Sequence, residues 1–359
     1  MKKRDRSEWL RAFPIDIERL YETADEALPH SGKKWWWCWG GVVGLLFAVQ
    51  VVTGLLLAMY YRAEPETAYK SVVFITEYAR YGRFIRSVHQ WGATFMIIVL
   101  FMHMLRVFVT GAFREYRWGA WMAGVCLLGF TFGLGFTGYS LVYEQLSYWA
   151  ITVTSHIFYA VPFIGDTLRH LFLAGEEINT ATLSRLYALH VQILPAGLFL
   201  FILIHLSFVR LMGMYLPGND RDRREEEKQT KREGVYHFFP DHALSEIIVL
   251  LYLVLVLCLL ALAVPATMGD PADPLVTPEH IKPEWYFYPF FHLLKVVPGV
   301  TGIIIMGLMG ALFFFWPVLD HYLFQKIDRV FKGRFEIGLV VGVLVIFIYL
   351  AWAVAEANY

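Results

Sequence analysis

Four histidines in two apolar segments have the types and spacing for redox chemistry. His89 and His103 lie 14 residues apart, and His190 and His205 lie 15 apart. In a helix, a rise of about 1.5 Å per residue separates each pair by roughly 21–23 Å along the axis. At about 100° per residue, both intervals return to within roughly 40–60° of the starting face. Each helix then presents two imidazoles on one side, one near each end. Two such helices face to face would hold two stacked bis-histidine haems, an electron path across a bilayer. The competing reading is a hydrogen-bonded polar residue in a membrane helix. Ionisable groups inside a bilayer are rare and mostly functional, and the matched spacing favours ligation.

The elements that must position these residues are membrane spans. The 359 residues are 57% hydrophobic and only 17% charged. That composition, with long uncharged runs, points to an all-α polytopic membrane protein. Seven spans are expected, at about 36–60, 87–109, 119–141, 186–211, 244–266, 299–318 and 336–355. They divide into a four-span haem-binding block at 35–215 and a three-span block at 243–359. A charged linker at 216–242 joins the blocks, and a polar segment, 1–34, precedes them. Residues around 7–22 fit a short surface helix. No cleavable signal peptide is visible.

Net charge is zero, so the distribution of charge carries the information. Segments 1–34, 106–118, 210–242 and 317–335 hold 22 of the 31 Lys and Arg residues, and the alternate loops hold nine. The positive-inside rule then puts the N-terminus on the cytoplasmic or n side and the C-terminus on the p side. A bacterial cytoplasmic membrane is the expected location. Membrane lipids are expected partners and nucleic acid is not. Cys38, Cys126 and Cys258 lie in or at the edges of spans. They make neither a disulfide framework nor a C-x-x-C-H haem attachment.

The run at 219–233 reads as a solvated linker. The loop at about 142–185 is long and aromatic, which suggests short helices on the p surface. Loop 266–298 carries six prolines and should be rigid and irregular. Gly40 and Gly54 in the first span, and Gly124 and Gly138 in the third, repeat the 14-residue interval. A missing side chain at each level would let a porphyrin edge approach the backbone, although small residues also serve ordinary helix packing. Arg86, Arg106, Arg185 and Arg210 flank the histidines on their outward sides. They suit haem propionates, or simply snorkel to the interface. The other eight histidines (30, 156, 170, 237, 242, 280, 292 and 321) take no ligand role. His242 and Glu246 are weak candidates for n-side proton uptake.

The chain resembles cytochrome b of the Rieske/cytochrome b complexes (cytochrome bc1 and b6f) from about residue 30 to 355. The resemblance rests on RSVHQW at 86–91, GFTGYSLVYEQLSYWA at 135–150, RLYALH at 185–190 and GDPADPLVTPEHIKPEWYFYPFFHLL at 269–294. It implies that His89 and His190 ligate a p-side haem b, and His103 and His205 an n-side haem b. The 15-residue spacing and the three-span second block resemble the b6f branch, with cytochrome b and subunit IV joined in one chain. Cys38 aligns with the cysteine that holds a covalent haem ci in that branch, with Arg210 as a propionate partner. Val142-Tyr143 stands where photosynthetic members have Pro-Trp, and Gln90 where plant-type members have Arg.

The resemblance implies a quinol:cytochrome c oxidoreductase, or one serving a plastocyanin-like acceptor. Quinol is oxidised on the p side and an electron crosses to an n-side quinone, building a proton gradient. The implied partners are a Rieske iron–sulfur protein, a c-type cytochrome subunit or carrier, the quinone pool and a second copy of the complex. Glu284, in the Pro-Glu-Trp-Tyr quartet, is the expected acceptor of the second quinol proton, because desolvation should raise its pKa. A salt bridge or a loop-fixing hydrogen bond is its alternative role. Tyr286 and Tyr143 line the pocket or serve as interface aromatics. A di-haem anchor of a dehydrogenase or hydrogenase is the rival function, and a haem-free transporter is a more distant one.

Overall fold

The structure is a computed structural model that describes residues 27–28, 30, 35–114, 117–213, 215, 220–279, 281–297, 299–330 and 336–358. The surface helix expected near 7–22 and His280 lie outside them. In chain order the helices are α1 (Trp39–Ala58), α2 (Ala68–Glu77), α3 (Gly82–Val109), α4 (Trp118–Ser140), α5 (Gln145–Tyr159), α6 (Gly165–Leu173) and α7 (Thr180–Met212). There follow α8 (Asp220–Glu233), α9 (Ala243–Ala263), α10 (Tyr288–Val296), α11 (Val300–Phe314), α12 (Trp316–Ile327) and α13 (Ile337–Asn358). A two-stranded antiparallel pair, β1 (Ala27–Leu28) with β2 (Tyr236–His237), ties the N-terminal segment to the linker.

Among the described residues, six helices are long and apolar enough to cross a membrane: α1, α3, α4, α7, α9 and α13. Helices α11 and α12 meet that test only together, bent by 67°. Counted as one span, the pair completes the expected seven. The bend follows from Pro317 in the first turn of α12, which has no N–H and crowds the carbonyl four residues back. That carbonyl, of Phe313, accepts instead from Trp121 Nε1 at 2.8 Å. A kinked backbone at membrane depth is tolerated when its freed groups find such partners.

The spans α3 and α7 start earlier than their apolar runs, at Gly82 and Thr180. Helix α7 reaches back to Thr180 because the Asn179 side chain accepts from the N–H groups of Ala181 and Thr182, a capping box that starts the helix in the polar region. The charged run expected as a linker is helix α8, since its Glu, Arg and Lys residues are good helix formers. The 142–185 loop carries the surface helices α5 and α6.

Helix α3 packs closely on α1, and α7 on α4, while α9 lies against both α1 and α3. Their shared core holds Cys38, Val42, Leu46, Met96, Val99, Leu198 and Leu257. The proline-rich loop is fastened to α3 and to the corner after α4. Ala266 N–H donates to Ser87 Oγ at 2.9 Å, Trp91 Nε1 donates to the Val264 carbonyl at 2.9 Å, and Gln145 N–H donates to the Asp270 carbonyl at 2.9 Å. At the opposite end, Arg114 grips the buried Asp320 through both carboxylate oxygens, at 2.9 and 3.0 Å.

Candidate functional site

Helices α3 and α7 bring the four histidines together as two rungs. The His89 and His190 ring centres are 6.3 Å apart with planes at 76°, and those of His103 and His205 are 6.4 Å apart at 77°. The unequal sequence spacing is reconciled by a π turn at Leu189–Ile193, where Leu194 N–H reaches back to the Leu189 carbonyl. Pro195 sits just after it and cannot bond the carbonyl four residues back. A π turn absorbs one extra residue, so 15 residues on α7 advance about as far as 14 on α3.

The rungs fit a metal bound between trans imidazoles. Metal–imidazole bonds of about 2 Å, with each ring centre roughly 1.1 Å behind its nitrogen, put two trans rings about 6.2–6.4 Å apart. The tautomers fit as well. Thr53 Oγ1 donates to the Val49 carbonyl at 2.8 Å and so accepts from His89 Nδ1, also at 2.8 Å. Thr137 Oγ1 donates to the Gly133 carbonyl at 2.8 Å and accepts from His190 Nδ1 at 3.0 Å. His205 Nδ1 donates to the Ala120 carbonyl at 2.9 Å. In these three rings the proton is held on Nδ1, and Nε2 is the nitrogen left to ligate. His103 differs, with Nδ1 buried and unpartnered.

The four glycines abut the four imidazoles. A Cβ added at Gly138 would stand 2.8 Å from His190 Cε1, and one at Gly40 3.0 Å from His103 Cε1. At Gly54 and Gly124 it would stand 3.2 and 3.6 Å from His89 and His205. Gly138, Gly40 and Gly54 therefore make room for the histidine rings, and a Cβ at Gly124 would make ordinary van der Waals contact. Each histidine helix is paired with a glycine helix for this reason. Thr53 and Thr137 were not singled out from sequence. The signal was present, because each immediately precedes its glycine in a Thr-Gly dipeptide. Thr137→Val is expected to weaken haem retention at this rung about tenfold, since partners of a ligating histidine carry effects of that size. Haem per chain on serial dilution reads it, and unchanged retention with an unchanged spectrum contradicts the orienting role.

The arginines divide. Arg106 lies 4.5 Å over the Trp37 ring, and its Nε is buried without a partner, a cationic donor that suits a propionate. Arg86 donates to the Ala266 and Thr267 carbonyls at 3.1 and 3.0 Å. Arg185 donates to the His170 and Leu171 carbonyls. The irregular loop leaves the Ala266 and Thr267 carbonyls, and the end of α6 the Leu171 carbonyl, for these two guanidinium groups, while the His170 carbonyl also accepts from Ala174 N–H. Arg210 lies in the last turn of α7. Cys38, just before α1, is 1% exposed and packed in the bundle core.

A largely apolar cavity of about 940 Å³ lies beside the His190 rung, and Thr137 is part of its wall. Pro283 and Phe287 line it, whereas Glu284, Tyr286 and Tyr143 stand outside the lining. For Glu284 and Tyr286 the 3₁₀ turn at Trp285–Phe287 is the cause, because it points successive side chains in different directions. Tyr286 is buried, stacked on Phe132, with its ring end over Gly135, where a Cβ would lie 2.8 Å from the hydroxyl. Tyr143 holds φ at +56°, a strained value for a residue with a side chain, at the corner that pairs with the proline-rich loop. Its carbonyl accepts from Ala272 N–H at 3.3 Å.

Electrostatics sharpen this region. Burial, and then the Glu144 carboxylate, raise the Glu284 carboxyl above the usual range. Glu144 accepts from Gly269 N–H at 2.6 Å and was overlooked in the sequence, although it sits in the same motif as Tyr143. Burial, then Tyr148 and Glu66, push Tyr143 up to about 12. Burial, then Glu284 and Tyr139, push Tyr286 higher still. Both phenols keep their protons at neutral pH and can donate hydrogen bonds.

The chain is similar to known proteins over most of its length. The family model Cytochrome b/b6/petB matches residues 26–213, and Cytochrome b(C-terminal)/b6/petD matches 271–358. Cytochrome b6 of Heliomicrobium gestii is 42% identical over 210 residues, covering 58% of this chain and 99% of that protein. Cytochrome b6 of Heliobacterium mobile matches to the same extent. A solved chain described as "Hyperthermophilic respiratory Complex III" shares the fold, with a TM-score of 0.75 over 97% of both chains at 21% identity. The chain belongs to the cytochrome b family, with b6-type and petD-type parts joined in one polypeptide, as an integral-membrane electron-transfer subunit of quinol-oxidoreductase type whose cofactor is haem b.

Proposed function

We propose that this subunit oxidises quinol on the p side and delivers one electron to an n-side quinone, while a Rieske iron–sulfur protein takes the other. The Rieske protein then serves a c-type cytochrome or a plastocyanin-like carrier. The carrying observation is the adjacency of the 940 Å³ cavity to the His89/His190 rung, with Thr137 common to both. His89 and His190 would hold one haem b and His103 and His205 the other, with Arg106 pairing a propionate. Bound there, the two haems supply one-electron transfer along the bundle.

The chain's own residues do the rest. Phe132, Phe136 and Phe290 give the cavity apolar walls that exclude water and accept a quinone ring and tail. Glu284 accepts the second quinol proton. Its raised pKa gives it a higher proton affinity than an ordinary glutamate, by burial first and then by the negative charge of Glu144. Tyr286 and Tyr143 stay protonated and brace the segment around the pocket. The p side carries the proline-rich loop, α5 and α6, and the n side carries α8 and the N-terminus, as the Lys/Arg bias supports. The membrane is the bacterial cytoplasmic membrane, and the complex is a homodimer embedded in lipid. Cys38 stands at the n-side end of α1, where a third haem of ci type would attach once the packing around its thiol opened.

The test is a purified complex supplied with short-chain benzoquinol or naphthoquinol. The proposal expects quinol-dependent reduction of both haem b centres, together with the Rieske centre. Haems that respond only to a dehydrogenase or hydrogenase partner would favour the membrane-anchor function instead.

A further inference from the structure

A buried ionic cluster lies beside the cavity, outside the residues assigned so far. Glu356, two residues before the end of α13, is 0% exposed. Its carboxylate oxygens lie 3.1 and 3.2 Å from Lys295 Nζ, and Oε2 lies 3.3 Å from His292 Nδ1. Its backbone carbonyl accepts from Lys282 Nζ at 2.9 Å. Two turns back on α13 from Glu356, Tyr349 donates its hydroxyl to the Tyr286 carbonyl at 3.4 Å. Lys282 and Lys295 both line the cavity.

Helix α13 thus holds the segment at residues 282 and 286, and these two grips bracket Glu284. We propose that Glu356 is a positioning residue for quinol oxidation: its carboxylate fastens His292 and Lys295 of α10, the helix that follows the Glu284 turn, to the last span, while its backbone carbonyl takes Lys282, and so it sets where Glu284 stands. A buried ion pair is weak evidence for stability, because apolar replacements of similar volume are often neutral or better. What this one adds is a fixed position for the wall of the cavity. The charged and titratable groups facing Glu356 are Lys282 from the loop and His292 and Lys295 from α10. Trp352 on α13 packs against the His292 ring, with centres 6.5 Å apart, and limits its movement. The inference rests on the quinol-site reading above.

The experiment uses the assembled complex with short-chain quinol as the probe. Glu356→Gln is expected to lower kcat about tenfold, since small misplacements at a reaction site cost rate on that scale or more. Haem content and spectra stay as in the unaltered complex. The acid limb of the pH profile moves to lower pH, as a loosened Glu284 gains water. Lys295→Met, at a half-exposed position, gives the same fall, and the double variant is no worse than either single one, because the pair acts as a unit. If Glu356→Gln fails to assemble, Lys295→Met carries the test alone with the same criteria. Unchanged turnover with an unmoved acid limb overturns the inference, as do single effects that multiply in the double variant. An unaltered complex that oxidises no quinol refutes the site reading itself, whereas an active complex indifferent to both substitutions refutes the brace alone.

Discussion

His190→Ala leaves one haem b per chain and brings quinol oxidation to background. The ring is fixed on both sides, by Thr137 at Nδ1 and by Gly138 at its Cε1 edge, and faces His89 across 6.3 Å. Among the described residues no other histidine shares that rung, because His103 and His205 form the second pair about 21 Å away along the helices. Loss of one axial ligand opens a coordination position and removes half the protein's hold on the group. The surviving rung keeps its haem, so the reduced spectrum retains one component. Haem per chain and the difference spectrum read the outcome. Retention of both haems with unchanged spectra would remove His190 from the ligand set.

Glu284→Gln slows quinol oxidation about 100-fold, within the range of general-base contributions, and leaves both haem spectra intact. The pH dependence carries a sign. Burial and Glu144 raise the Glu284 pKa, so the carboxylate that accepts a proton is lost as pH falls through that raised value. The rate therefore declines on the acid side, and the decline starts at a higher pH than an ordinary glutamate would give. Glutamine abolishes this limb because it does not titrate. Stopped-flow reduction of the haems by quinol across a pH series measures both effects. Unchanged turnover, or an acid limb that survives in Glu284→Gln, sinks the role.

The rungs were legible because helical periodicity converts sequence spacing into geometry. Intervals of 14 and 15 residues put two imidazoles on one face, and the glycine repeat at the same interval named the helices they lean on. The π turn was hidden, although Pro195 and the one-residue mismatch between the two intervals pointed to it together. Spans followed from apolar length, except for the 67° bend between α11 and α12, where Pro317 was the visible cause. Tertiary hydrogen bonds were not legible. Nothing local tells Arg86 to seek the Ala266 and Thr267 carbonyls, or Glu356 to meet Lys295 from 61 positions away. The same holds for the pocket. The quartet at 283–286 located the segment, but its turn decides that Pro283 and Phe287 face the cavity while Glu284 stands beside Glu144.

The claim on which everything else depends is that two histidine rungs each hold a haem. A pyridine haemochrome assay of the purified chain, before and after acid–acetone extraction, tests it directly. The rungs predict two extractable b haems per chain, and one further haem resisting extraction would assign the covalent group to Cys38. A chain that carries no haem, or only one extractable haem while remaining folded, would contradict the paired-rung arrangement.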